Sequence, residues 1–311
     1  MNGTVLCVDI GGTSTKAGLL DGAGRISFID FIPTGPDQDR FAASLYGLIE
    51  RTTQAANADS KPSRIGVAVA GFLDDDRNCL IYNPNLAWLE GFPLRNRLAQ
   101  RFDLPIELEI DSNAACVAEY RFGFNQEPAR FLCVTAGTGL GVGMTIDGQP
   151  LRFAYGCMGD VGHLIVDRYG PACSCGGRGC AEALISAPAL ADRYRIATGD
   201  NGCLSLRGVI AAAESGSSAA VEILRDAGRA LGVALASLAN TFFPDHIAVA
   251  GGLSVAGDFV MEAVQQTFQE LASKFARSRV KISRAVLGPN ATLIGAAWPY
   301  WKESPHGESK S

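Results

Sequence analysis

A repeated layout limits this chain more than any other feature. Val5-Leu6-Cys7-Val8-Asp9-Ile10 is a short apolar run that ends in Gly11-Gly12-Thr13 and resumes as Lys16 to Leu20 before an Asp21-Gly22 turn. Phe131 to Thr135 is a second such run; it ends in Ala136-Gly137-Thr138-Gly139 and resumes as Leu140 to Ile146 before Asp147-Gly148. Each reads as strand, Gly/Thr turn, strand. The two copies lie roughly 125 residues apart, the signature of an internal duplication. Two similar α/β domains are expected, each giving one phosphate-sized turn, with room for a nucleotide in the cleft between them.

Neither turn is a known nucleotide fingerprint. The first lacks the Gly-x4-Gly-Lys-[Ser/Thr] pattern and is followed by a strand instead of a helix; the second misses Gly-x-Gly-x-x-Gly. A Gly-Gly-Thr turn still exposes several backbone N–H groups and a hydroxyl, which suits an anion. By itself the first turn is better explained as a plain hairpin. Asp9, at its strand end, is placed to hold a metal–water shell.

Between the copies, residues 37–57 have helical spacing, with Phe41, Leu45, Leu48 and Ile49 on one face. A buried strand runs from Arg64 to Ala70. The loop that follows holds Leu73-Asp74-Asp75-Asp76, read as a solvated turn, and Asn83-Pro84-Asn85-Leu86-Ala87-Trp88. A helix over 93–102 leads to the strand Ile106–Ile110, which delivers Asp111 beside a helix expected to run to about Gly123. A carboxylate at the carboxyl end of a sheet strand is where α/β folds place ligand chemistry; a simple helix cap by Asp111 or Ser112 explains it equally well. Further on come an apolar helical stripe from Ala220 to Leu238 and the strand His246–Ala250, which ends at Gly251-Gly252. A strand over 280–286, a last helix over 291–301 and a frayed polar tail from Pro305 complete the chain.

The densest chemistry lies in Gly159-Asp160-Val161-Gly162-His163 and Cys173-Ser174-Cys175-Gly176-Gly177-Arg178-Gly179-Cys180-Ala181-Glu182. Cys-x-Cys-x4-Cys with His163 upstream supplies four ligands of the kind zinc takes in closed tetrahedral sites. The competing reading is a set of packed core thiols with a satisfied histidine. A disulfide fits a reducing compartment poorly, and the chain reads as cytosolic: the start has no basic leader-like region, and no apolar stretch approaches the ~18 residues of a spanning helix. The 311 residues, 47% of them hydrophobic, can fill two cores, and the net charge of −5 offers no general attraction to nucleic acid or an anionic membrane. Cys7, Cys116 and Cys133 sit among apolar neighbours and read as core residues.

Taken together, these motifs resemble the ROK family, the sugar kinases and related repressors of the actin-like/hexokinase superfamily. Asp9-Ile10-Gly11-Gly12-Thr13 with Lys16 looks like its first phosphate motif, and Ala136-Gly137-Thr138-Gly139-Leu140-Gly141-Val142-Gly143 like its second. Gly251-Gly252-Leu253 is similar to the turn near the adenosine, Asn83-Pro84-Asn85-Leu86 with Trp88 to the sugar-side loop, and Gly159 to Glu182 to the family signature with its zinc site. The resemblance implies two actin-like (ribonuclease H-like) α/β domains with a nucleotide/sugar cleft between them, one spanning 1–112 plus 289–311 and the other 113–288. It implies ATP-dependent phosphorylation of a hexose-type hydroxyl with Mg2+, Asp111 as the base and Asp9 orienting magnesium through water. The sugar would contact Asn85, Asp111, Asp160, His163 and Glu182. The phosphates and nucleotide would contact Gly11, Gly12, Thr13, Lys16, Gly137, Thr138, Gly139, Gly251 and Gly252. A structural zinc would take His163, Cys173, Cys175 and Cys180, with the other ring nitrogen of His163 facing a sugar hydroxyl. Loss of this zinc, or Cys175→Ser, is expected to loosen sugar binding and stability but leave nucleotide binding largely intact. A homo-oligomer is also implied.

The chain departs from the family pattern at two positions. Asn usually precedes the catalytic Asp, where this chain has Ile110; Gly-Glu-x-Gly-His reads here with Asp160. Losing a hydrogen bond to a buried hydroxyl costs ~1–3 kcal/mol. An altered substrate is therefore expected: a deoxy, amino or epimeric sugar, or a cyclitol. The alternatives are retained glucose use and a catalytically weak sugar sensor. The family's repressor branch carries a helix-turn-helix ahead of the core, and with the first core strand starting by Val5 that branch is not expected here.

Overall fold

The computed structural model describes residues 3–57, 61–199, 202 and 205–301. The polar tail expected from Pro305 lies outside the described residues. In chain order the elements are β1 (Thr4–Ile10), β2 (Ser14–Leu20), β3 (Ile26–Pro33), α1 (Gln38–Gln54), β4 (Pro62–Val69), β5 (Phe72–Leu73), β6 (Leu80–Tyr82), α2 (Leu94–Phe102), β7 (Ile106–Ile110) and α3 (Asp111–Ala118). They continue with β8 (Arg130–Ala136), β9 (Leu140–Ile146), β10 (Gln149–Pro150), α4 (Ala181–Ile185), α5 (Ala187–Thr198), α6 (Leu206–Glu214) and α7 (Ser218–Phe242). Last come β11 (His246–Ala250), α8 (Asp258–Leu271), α9 (Lys274–Arg279), β12 (Lys281–Arg284) and α10 (Ala291–Gly295).

The duplication expected from the two Gly/Thr turns is visible in the sheets. The first has the order β3-β2-β1-β4-β7 and the second β10-β9-β8-β11-β12. In the first, β1 pairs antiparallel with β2 and parallel with β4, and β4 is parallel to β7. In the second, β8 pairs antiparallel with β9 and parallel with β11, and β11 is parallel to β12. A strand followed at once by a tight turn can only return antiparallel; the parallel partners need the helical crossovers that follow. Both sheets thus have the mixed layout of an actin-like α/β domain.

The chain divides into two compact units, one of Met1–Phe122, Pro150–Met158 and Pro289–Ser311, the other of Gly123–Gln149 and Gly159–Gly288. The boundary expected at residues 112/113 therefore falls too early, and the segment 150–158 is assigned to the other unit. The reason is packing. Gly295 in α10 lies so close to α3 that a Cβ there would sit 1.8 Å from the Ala114 carbonyl oxygen. The segment 150–158 is tied in by Asn113 Nδ2, which donates to the Gly156 carbonyl at 2.8 Å, and by Cys157, buried in the first unit's core.

That core is built from β1, β4 and β7 with α1. Leu6, Val8, Ile65, Val67 and Leu108 meet the Phe41, Leu45, Leu48 and Ile49 face of α1. Asp37 caps α1, accepting from the Arg40 N–H at 2.9 Å. In the second unit the apolar stripe of α7 is buried, including Leu224, Leu231 and Leu235. The last helix is shorter than expected: α10 ends at Gly295 and a separate 3-10 turn covers Trp298–Tyr300. Pro299 has no N–H to continue an α-helical ladder. Asp74 does more than face solvent, since its Oδ1 accepts from the N–H groups of Asn78 (2.6 Å) and Cys79 (3.0 Å) and closes that turn.

The α3–α10 contact sets a test. Gly295→Ala forces the two helices apart and should lower unfolding stability by about 3 kcal/mol, read from the urea midpoint; a midpoint equal to the parent's would show that the contact does not support the fold.

Candidate active site

In the first unit the register aligns the strand ends. Asp9 pairs with Ala68 across β1–β4, and Ala68 with Glu109 across β4–β7. Two residues past Glu109, Asp111 leaves the sheet as the first residue of α3, and its Oδ1 accepts from the Ser112 N–H at 2.7 Å. Burial pushes the Asp111 carboxyl up to about 7, the neighbouring Asp9 charge pushes it further in the same direction, and the Ser112 N–H acts the other way. Burial raises Asp9 to about 6, opposed by Lys16, its cross-strand partner. Asp9, Lys16 and Asp111 are thus electrostatically one group.

The first Gly/Thr turn is pinned from one side. Thr34 Oγ1 donates to the Gly11 carbonyl at 2.7 Å and the Thr34 N–H to the Thr13 carbonyl at 3.0 Å. Gly12 packs against the side chain of Asn85, with 3.1 Å between its Cβ position and Asn85 Cβ. Asn85 stays exposed while its neighbours are anchored: Leu86 is buried, and Trp88 meets Phe41 edge-on at 5.1 Å. The structure therefore brings together Asp9, Asp111 and Lys16, and separately Gly12 and Asn85, within one unit.

In the second unit the Gly137–Gly139 turn closes on itself through the Gly137 N–H, which donates to the Gly139 carbonyl at 2.9 Å, and leaves Thr138 exposed. The Gly251 turn stands at the end of the adjacent strand. Its φ of +83° and the 2.3 Å from its Cβ position to the Ala136 carbonyl oxygen admit only glycine. Gly252 then opens a 3-10 turn, Gly252–Ala256, ahead of α8.

His163, Cys173, Cys175 and Cys180 converge, their ligand atoms all within 4.8 Å of one another. Cys173 Sγ lies 3.5 Å from His163 Nδ1, and Cys175 Sγ 3.7 Å from Cys180 Sγ. A tetrahedron with Zn–S of about 2.3 Å and Zn–N of about 2.0 Å has edges of ~3.6 Å (S–N) and ~3.8 Å (S–S), so the donor set fits that ion. The Gly177 N–H donates to Cys175 Sγ at 3.4 Å and holds that thiol below its ordinary range. His163 Nε2 points the other way, 3.7 Å from Asp160 Oδ2. Glu182, in the first turn of α4, accepts from the Leu140 N–H at 2.9 Å.

One group was not foreseen. Glu109, 1% exposed, accepts from the Ile110 N–H and from Asn113 Nδ2, each at 3.0 Å, and is ion-paired with Arg152; Arg77 stands 3.8 Å away. A buried carboxylate needs such partners. The alternation Ile106-Glu107-Leu108-Glu109-Ile110 reads as a half-exposed strand and gives no sign that Glu109 is buried; its guanidinium partners, Arg77 and Arg152, come from loops that no periodicity announces.

The chain matches the ROK family over residues 5–303. It is 31% identical to the glucokinase of Streptomyces coelicolor over 95% of this chain and 96% of that one. It is 30% identical to the N-acetylmannosamine kinase of Escherichia coli O139:H28 over 94% and 97%. With the xylose repressor of Caldicellulosiruptor bescii the identity is 26%, over 94% of this chain and 77% of the repressor. Among solved structures, a ROK family glucokinase from Streptomyces griseus in complex with glucose and AMPPNP superposes with a TM-score of 0.85 at 32% identity, covering 96% of this chain and 99% of that one. Among the described residues no helix is long and apolar enough to cross a membrane. With the duplicated sheets, the paired Gly/Thr turns and the His/Cys cluster, these matches establish that the chain belongs to the ROK family.

Proposed function

We propose that the chain is an ATP-dependent kinase that phosphorylates a hydroxyl of a hexose or hexose-like substrate, with Asp111 as general base. The observation that carries this reading is the placement of Asp111 as the first residue of α3, at the end of β7 and near the Asp9 carboxylate that pairs across the hairpin with Lys16, a placement that raises its carboxyl to about 7. A base tuned near neutral pH combines a usable ionised fraction with a strong pull on the attacking hydroxyl's proton. The kinases among the relatives agree with it.

In this reading Asp111 takes the proton of the sugar hydroxyl, and Lys16 and the N–H groups of the two Gly/Thr turns position the phosphates. Mg2+ would neutralise charge on the transferring phosphoryl group, with Asp9 as the carboxylate that orients it. Asn85, Asp160, His163 and Glu182 hold sugar hydroxyls. His163 and the thiolates of Cys173, Cys175 and Cys180 would hold zinc, which would be structural, since four protein ligands would leave no open position for catalysis. Held there, His163 keeps Nε2 for substrate.

The substrate differs from glucose near residue 110. Ile110 is buried, and its Cδ1 lies 3.3 Å from the Cβ position of Gly156, so this residue offers the sugar no polar atom. A deoxy, amino, N-acetylated or epimeric sugar, or a cyclitol, fits that change. Ile110 and Asp160 also favour one other reading, a sugar sensor without turnover.

An ADP-release assay over glucose and these analogues tests both. An analogue should exceed glucose in kcat/KM; a clear glucose preference sinks the altered specificity, and sugar binding without any turnover selects the sensor. Asp111→Asn should lower kcat by about 10²–10⁴-fold while sugar and nucleotide still bind. Because the base works only when ionised, kcat/KM should fall about tenfold per unit as pH drops below the Asp111 value of about 7. Asp9→Asn removes one of the causes of that raised value and should move this acid limb to lower pH. Protein purified without chelator should carry about one zinc per chain, and Cys180→Ser should lose most of it by elemental analysis.

A further inference from the structure

The second Gly/Thr turn is held from outside at two points, both on the stretch that follows Cys180. Glu182 Oε2 accepts the Leu140 N–H at 2.9 Å, and the Ala187 N–H donates to the Gly137 carbonyl at 2.8 Å. The carboxylate reaches the turn because residue 139 has no side chain: a Cβ there would lie 2.6 Å from Glu182 Oε2. Gly162, beside His163, leaves the same room, with 3.4 Å from its Cβ position to that oxygen. The start of α4 is in turn fixed to the loop of the thiols. The Ala181 N–H donates to the Leu164 carbonyl at 2.8 Å, and Ile165 and Cys180 form an antiparallel bridge.

We propose that Glu182 is a positioning residue for the Gly137–Gly139 turn, so that it sets the affinity for nucleotide even when no sugar is present. This rests on the kinase reading above and extends it. Through Oε2 the carboxylate fixes a backbone N–H of the phosphate turn, and through Oε1 the same group can take a substrate hydroxyl. The two substrates therefore share one side chain, and coupling between them must be reciprocal. On this proposal loss of zinc should weaken nucleotide binding as well, because Cys180 lies two residues before Glu182 and seven before Ala187, which holds the Gly137 carbonyl.

The test is calorimetric binding of AMPPNP with Mg2+ to the sugar-free full chain. Glu182→Ala should weaken it about tenfold, the usual worth of a hydrogen bond to a charged group. Glu182→Gln keeps an oxygen for the Leu140 N–H and should stay within about threefold of the parent, although both variants bind sugar poorly. If Glu182→Ala fails to fold, shown by its thermal transition, Glu182→Leu, which fills the space without an acceptor, carries the comparison against Glu182→Gln. Parental nucleotide affinity in Glu182→Ala, or an equal loss in Glu182→Gln, overturns the positioning role and leaves the kinase reading standing. A parent protein that binds no AMPPNP and turns over no sugar overturns both.

Discussion

The candidate site in the first unit depends on the cost of taking several carboxylates partly or wholly out of water at neighbouring strand ends. Three are brought there, and each meets that cost differently. Asp9 has Lys16 across the hairpin. Glu109 is enclosed by Arg152, Asn113 and the Ile110 N–H. Asp111 has the Ser112 N–H and, among the described residues, no ion pair. Desolvation without a compensating cation favours the neutral acid, so Asp111 is raised to about 7, further than Asp9 beside Lys16, at about 6.

The second unit meets a different constraint. Its Gly137–Gly139 turn is a short glycine loop that cannot be stiffened by packing of its own side chains. It is stiffened from its flanks instead: by Glu182 on Leu140, by Ala187 on Gly137, and by the Gly251 backbone against Ala136. Small residues at 139 and 251 are what let these supports come close enough. Rigid loops of this kind can present catalytic groups with little ordering cost at the moment of binding.

Much of this was legible in the residues. The repeated strand–turn–strand layout foretold two sheets of the same order, and the alternating run Ile106-Glu107-Leu108-Glu109-Ile110 foretold a strand that delivers Asp111. The spacing of His163 and the three cysteines foretold a cluster, because their type alone restricts what they do together. The unit boundary was not legible: α3 reads as the start of a new domain, and only the backbone contact at Gly295 shows that it completes the first. Nor was the Glu182–Leu140 bond, since a side chain accepting from a backbone N–H some forty positions away leaves no pattern in either segment. Arg152 escaped for a similar reason, as an isolated arginine ahead of an irregular loop. Periodicity reports which face of an element is buried; it does not report which loop folds back to neutralise a charge.

The packing of α10 on α3 also bears on the order in which the chain can fold. The helix that begins at Asp111 stays uncovered until Gly295 has been made, so the first unit, although it begins the chain, cannot be completed until the whole of the second has left the ribosome. Units that close late hold apolar surface open to solvent for longer. For a nascent chain still lacking its last residues, the exposed seam is the Ala114 face, next to the strand end that carries Asp111.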